Sequence, residues 1–168
     1  NDRTVIGCGQ PLHTGGFGNT FNFYGFDLNI FFSWSYGNDV LNANRLYFEN
    51  GSISNTNQLK TYVNRYRPGI NETSDIPRVQ ANGMYVYSSR VVEDASFLRL
   101  RNVTLGYTLP RKTLRKMHFD TMRVYISGEN LWTLTGYSGP DPEVSTRNSV
   151  LTPGFDWSAY PRAMGVTA

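Results

Sequence analysis

The chain has 168 residues with a net charge of +3, 17% charged and 14% aromatic residues, and 16 glycines, so it can form one domain and carries fewer charges than an ordinary soluble protein. A single cysteine, Cys8, excludes an internal disulfide framework and any multi-cysteine metal site, and no apolar run approaches the ~18 residues of a membrane helix. The densest basic group, Arg111, Lys112, Arg115 and Lys116, comes with no recognition helix or stacking platform, which argues against nucleic acid as a partner.

Residues 1–12 read as irregular, broken by Gly7, Gly9 and Pro11. From Thr14 to Tyr24, Phe17, Phe21 and Phe23 alternate with Gly18, Thr20 and Asn22, the period of a strand. Gly25 marks a tight reversal. The run Phe26–Tyr36 places Phe26, Leu28, Ile30, Phe32, Trp34 and Tyr36 on one face. Asp27, Asn29, Ser33 and Ser35 take the other, with Phe31 the exception. At about 3.3 Å per residue and a tilt near 40°, such a strand spans roughly 25–28 Å, the height of an outer-membrane apolar band.

Residues 37–94 form a long polar stretch, with a weak helical period over Leu59–Tyr66. The stretch Ser96–Pro110 follows as a strand with Val103, Leu105 and Tyr107 on one face and Asn102, Thr104 and Gly106 on the other, closed by Pro110. Leu98 and Leu100 have the opposite parity, and this switch reads as a strand passing from a headgroup zone into hydrocarbon. A short basic link from Pro110 to Thr121, most simply a solvated turn, leads to a strand over Met122–Leu134. Residues 135–159 read as loop, and Tyr160–Ala168 as the start of another strand.

These elements predict an all-β chain of antiparallel, up-and-down strands with short connections at one end and long ones at the other. Outer-membrane barrels have that asymmetry, with short periplasmic turns and long outer loops, here about 37–94 and 135–159. About five strands are too few to close a barrel, whose smallest members have about eight. The abrupt ends at Asn1 and Ala168 read as those of a piece of a longer chain.

The runs SFLRLRNVTLGYTLP at 96–110 and RVYISGENLWTLTGYSGPDPEVS at 123–145 resemble the C-terminal end of SusC/RagA-type TonB-linked outer-membrane transporters. DRTVIG at 2–7, TGGFGNTFNFYGFDLNIFFSWSYGNDVLN at 14–42 and YPRAMGVT at 160–167 resemble the same family in the same order. The resemblance implies a segment of a large transmembrane β-barrel of about 22 strands, of which this chain would supply roughly the last five. It implies import of a bulky nutrient such as a glycan, or a peptide, across the outer membrane of a Gram-negative bacterium. The implied partners are the remainder of the barrel and its plug, a SusD-like surface lipoprotein, and TonB acting through an N-terminal part that the sequence does not contain. Nor does the sequence contain a TonB box or the last strand's terminal aromatic residue.

No nucleophile–base pair or metal constellation is apparent, and GxGxxG is absent, so neither an enzyme nor a cofactor is expected. Cys8 reads as a loop thiol, since His13 and His118 lie in no motif. Asp141, Glu143 and Asp156 share a loop without Ca²⁺-site spacing and read as ordinary loop acids. Asp27 and Glu129 lie on polar faces but lack the marks of a glycosidase pair. Gly128 reads as a bend or a close backbone approach.

Phe26, Leu28, Ile30, Phe32, Trp34, Tyr36, Val103, Leu105 and Tyr107 are the candidate lipid-facing side chains, with Trp34 and Tyr36 in an interfacial girdle. Tyr137, Asp141, Glu143 and Trp157 are the candidate contacts for cargo or the lipoprotein. Tyr62, Tyr66, Tyr85 and Tyr87 fit a partner interface, where tyrosine is enriched. The alternative is a soluble, secreted β-sandwich binding glycans, its apolar faces buried against a second sheet.

Overall fold

The computed structural model describes residues 4–52, 55–79, 85–115, 119–146 and 152–168; Lys116 and His118 lie outside them. The elements in chain order are β1 (His13–Phe23), β2 (Phe26–Tyr36), β3 (Asp39–Asn42), α1 (Ala43–Phe48), 3₁₀ turns at Lys60–Asn64 and Ser89–Val91, β4 (Val92–Asp94), β5 (Phe97–Thr108), α2 (Arg111–Arg115), β6 (Arg123–Thr135), β7 (Phe155–Asp156) and β8 (Gly165–Thr167). They form two compact units. One comprises Leu12–Tyr36, Ser96–Gly136 and Arg162–Ala168, the other Asn1–Pro11, Gly37–Ala95 and Tyr137–Pro161.

The first unit is a five-stranded antiparallel sheet in the order β1-β2-β5-β6-β8. Tyr24 and Gly25, with φ of 46° and 87°, make the β1–β2 reversal, since a two-residue hairpin that matches strand twist needs positive φ at both positions. Register pairs Phe26 with Tyr107, Leu28 with Leu105 and Ile30 with Val103. It then slips, so that Leu100 faces Phe32 and Leu98 faces Trp34. Arg101 is the extra residue of a bulge, and a bulge changes which parity points to a given side. The switch of face in β5 is therefore not a passage between zones along a regular strand. The bulge rotates Leu98 and Leu100 back onto the side of Val103 and Leu105.

β6 slips at the same level: Leu105 pairs Ile126 and Val103 pairs Gly128, then Leu100 pairs Trp132 and Leu98 pairs Leu134. Asn130, at φ 52°, lies in this irregularity. Leu131 covers Gly128, where a Cβ would meet Leu131 Cδ1 at 2.7 Å. Gly128 is thus approached by a side chain, not by the backbone its place in a strand suggested, and it lies beside the stretch where the pairing slips. Phe31, the odd ring of β2, lies over Gly16 and Gly18 of β1, where a Cβ would meet its ring at 2.8 and 3.2 Å.

The result is one apolar side running unbroken across the sheet. Its rim toward the β1–β2 turn is aromatic, with Phe26 against Tyr107 at 4.5 Å between ring centres. The opposite rim carries His13 stacked on Tyr36 at 5.1 Å, and Trp34, whose indole N–H donates to His13 Nδ1 at 3.2 Å. No facing layer covers this side among the described residues: Phe17 is 57% exposed, Ile126 50% and Leu134 58%. The buried second sheet required by a sandwich is missing there, and a soluble monomer rarely leaves so extended an apolar surface bare.

The second unit gives the long polar stretch more structure than its composition suggested. β3 pairs antiparallel with β4 and parallel with β7, a departure from the all-antiparallel expectation. The weak helical period at Leu59–Tyr66 becomes the 3₁₀ turn at Lys60–Asn64. Val40, Ala95 and Tyr137 form its core cluster. The basic link of the sheet unit also contains the short helix α2, anchored by buried Leu114.

Candidate functional site

The polar side of the sheet is laced by side-chain hydrogen bonds across its strands. Asn29 Nδ2 donates to Thr20 Oγ1 at 3.1 Å, Arg101 Nε to Ser33 Oγ at 2.8 Å, and Thr104 and Ser127 share a 2.8 Å bond. Near the turn end, Arg123 of β6 reaches across β5 to Asp27 of β2, with Nε–Oδ1 and Nη2–Oδ2 at 3.0 and 2.5 Å. Gly106 makes this possible, since a Cβ there would lie 2.5–2.6 Å from both groups. Asp27 is therefore tied to a guanidinium, while Glu129 pairs in register with Asn102. The two acids do not come together.

In the second unit a charged network ties separate segments. Asn42 caps α1, its Oδ1 accepting from Arg45 N at 3.3 Å. Arg45 bridges Glu49 at 3.3 Å and Glu93 at 3.1 Å, while Arg90 also bonds the buried Glu49. Glu49 further accepts from Thr61 Oγ1 at 2.5 Å. Glu93 accepts from Ser138 N and Oγ, both at 2.9 Å. Burial pushes the Glu93 carboxyl up, but Ser138 and Arg45 outweigh it and hold it below the usual carboxylate range. Burial likewise opposes the Arg45 charge, and Glu93 and Glu49 more than restore it.

The candidate contact residues separate by depth. Tyr137 is 6% exposed and donates to Asp156 Oδ2 at 2.6 Å. Burial first, then that bond, pushes its phenol far above the ordinary range. Asp141 is buried, and its Oδ1 accepts from Glu143 N at 2.9 Å, fixing the turn that carries Glu143. Trp157 is the outward member at 38% exposure, its backbone N–H held by Thr146 Oγ1 at 2.7 Å. Its ring meets Tyr47 edge-on at 5.1 Å, and Tyr47 stacks against Tyr85 at 6.4 Å. Of the suggested tyrosine set, Tyr85 and Tyr87 are exposed and Tyr62 is buried, its hydroxyl donating to Asn50 O at 3.3 Å.

Sequence reasoning passed over Tyr47 and the Arg45–Glu49 pair. The i,i+4 spacing in NRLYFE was a usable signal for the latter. Among the described residues no group of three or more His, Cys, Asp or Glu side chains could hold a metal ion, and no helix is long and apolar enough to cross a membrane.

No family model matches the chain. It is 37% identical over 171 residues to "TonB-dependent receptor P3" of Formosa agariphila, covering 99% of this chain and 17% of that protein. It is 33% identical to "TonB-dependent receptor P39" of the same organism, covering 96% and 16%. Over 78 residues, 46% of the chain and 7% of the relative, it is 36% identical to "TonB-dependent receptor SusC" of Bacteroides thetaiotaomicron. Among solved structures it resembles the RagAB peptide transporter, with a TM-score of 0.74 at 30% identity over 90% of this chain and 16% of that one. The "closed-closed" RagAB peptide importer gives a TM-score of 0.78 at 28% identity, covering 95% and 17%. The chain thus spans only 16–17% of the length of the relatives that it matches nearly end to end.

Proposed function

This chain is homologous over nearly its whole length to SusC/RagA-type TonB-dependent receptors, and on that premise we propose that it is the C-terminal wall segment of an outer-membrane importer in a Gram-negative bacterium. The observation that carries the proposal is the two-sided sheet, apolar and bare on one side and hydrogen-bonded and polar on the other. Such a sheet needs hydrocarbon against its first side and water or protein against its second. Phe26, Leu28, Ile30, Phe32, Trp34, Tyr36, Val103, Leu105 and Tyr107 meet lipid, with rings at both rims in the headgroup zones. The edges of β1 and β8 pair with further strands of the same barrel, because lipid tolerates no open edge.

The short connections, Tyr24-Gly25 and the link carrying α2, face the periplasm, and the long polar stretch of residues 37–94, with 135–159, lies outside the cell. There it meets a bulky nutrient and a SusD-like lipoprotein, while TonB acts through parts of the receptor beyond this chain. Trp157 makes direct contact with cargo or lipoprotein. Tyr137, Asp141 and Glu143 hold the loops that present it, through the Tyr137–Asp156 bond and the turn at Asp141. The work is passage and exclusion, with no bond made or broken.

The test is fractionation of cells expressing the receptor. The expected result is recovery in the detergent-extracted outer membrane, with trypsin cleaving intact cells within residues 37–95. Recovery of the chain in the soluble fraction would refute the proposal.

A further inference from the structure

The link between β5 and β6 is closely held. Leu109 N–H donates to Met122 O at 3.0 Å, Leu114 N–H to Pro110 O at 3.3 Å and Phe119 N–H to Leu114 O at 3.2 Å, while the Leu114 side chain is buried. Arg111 and Arg115, four residues apart, share one face of α2. With Phe119, Asp120 and Thr121 they line a hollow of about 280 Å³. Arg111, Lys112 and Arg115 are exposed, and none of them has an ion-pair or hydrogen-bond partner for its side chain among the described residues. Arg123, at the same end of the sheet, is by contrast spent on Asp27. Asp120 is the single acid of the lining, against two arginines. Beside the hollow the surface turns apolar. Phe119 and Met122 are exposed, and Met122 continues the parity of Val124 and Ile126, which pair with Tyr107 and Leu105 on the bare side of the sheet.

We infer that this hollow is a headgroup site for an anionic phospholipid of the phosphatidylglycerol type. The inference rests on the importer reading above and adds to it a site at the periplasmic leaflet. Two guanidinium forks one helical turn apart suit one phosphodiester, whose oxygens accept their N–H groups. Asp120 accepts from the hydroxyls of the headgroup glycerol, and the acyl chains continue along Met122, Val124 and Ile126. A soluble phosphate would use the arginines and leave Phe119 and Met122 bare. A zwitterionic headgroup would bring an ammonium to a place where the excess charge is already positive. A turn that only meets water would have no use for unpaired arginines set against an apolar surface.

The experiment uses the whole receptor, purified in detergent and stripped of lipid. Native mass spectrometry follows its titration with phosphatidylglycerol, phosphatidylethanolamine, deep-rough lipopolysaccharide and water-soluble glycerophosphoglycerol. The expected result is that phosphatidylglycerol binds about tenfold or more tighter than each of the others, and that Arg111→Gln/Arg115→Gln weakens it about tenfold or more. Lys60→Gln/Arg78→Gln removes the same charge from exposed positions of the long polar stretch and retains the wild-type affinity.

Equal affinity for the two phospholipids, unchanged affinity in the Arg111/Arg115 variant, or an equal loss in the Lys60/Arg78 variant overturns the inference. So does an arginine-dependent preference for lipopolysaccharide, or a soluble headgroup that binds as well as the lipid. Heat-modifiable migration of the same preparations reports the barrel separately. A heat-modifiable receptor without arginine-dependent phosphatidylglycerol binding sinks the lipid site alone. A receptor that binds phosphatidylglycerol through the arginines but does not migrate as a barrel upholds the site and sinks the wall reading.

Discussion

Arginine placed on either side of β2 separates lipid from water at nearly the same depth. Ile30 lies four residues from Phe26 and six from Tyr36 in the strand numbering. At about 3.3 Å rise and a tilt near 40°, that is roughly 10 Å and 15 Å from the two rims, close to the midplane. Ile30→Arg should therefore destabilise the barrel by about 2–4 kcal/mol. Asn29→Arg, one residue away, points to the polar side and loses its bond to Thr20, a cost of about 1 kcal/mol.

The difference of about 1–3 kcal/mol corresponds to roughly a fivefold to 150-fold change in the folding equilibrium. Guanidinium titrations of the receptor in phosphatidylcholine vesicles, followed by tryptophan fluorescence, would measure it. Equal costs, or a larger cost for Asn29→Arg, would refute the assignment of faces.

Gly106→Val should cost about 1–3 kcal/mol by driving a side chain into the Asp27–Arg123 pair. The cost should shrink in an Asp27→Ala background, and a double-mutant cycle by the same titration reads this. Among the described residues, Tyr137→Phe leaves the fully buried Asp156 carboxylate with Ala159 N–H as its other bond, and about 1–3 kcal/mol should be lost. Faster hydrogen exchange within 137–161 would register it, and unchanged protection would speak against the bond's role.

The depressed Glu93 carboxyl adds stability that is present above its unfolded pKa and lost as pH falls through its lower folded value. Protease resistance of the second unit should therefore drop on acidification below the usual carboxylate range, and Glu93→Gln should flatten that dependence. A profile unaltered by the substitution would contradict the network's contribution.

The sheet was legible because its strands are long and two-faced. The alternation over Phe26–Tyr36 coincides with β2 to the residue, since a face touching one medium enforces strict period two. Ser96–Pro110 showed equally well as a strand, but the bulge at Arg101 was hidden. An extra residue looks in sequence like a change of environment, and only register against Phe32 and Trp34 reveals it. Phe31 was visible as an exception, while its cause, the paired glycines of the neighbouring strand, lay 13–15 residues earlier in sequence.

The second unit was poorly legible because short elements such as the four-residue β3 carry too few alternations to stand out from polar loop. Its stability rests on contacts distant in sequence, such as Asn42 and Ser138 on Glu93. Trp157 and Tyr85 were legible as aromatic residues in loops, but their meeting through Tyr47 was not, since nothing local links residues 47, 85 and 157.

The central claim is that alternate residues of β2 meet lipid, and nitroxide scanning tests it most directly. In a Cys8→Ser receptor in vesicles, spin labels at positions 27 to 34 are read for collision with oxygen and with a water-soluble nickel chelate. The account predicts oxygen maxima at 28, 30, 32 and 34 and nickel maxima at 27, 29 and 33. A flat profile, or the opposite phase, would contradict it.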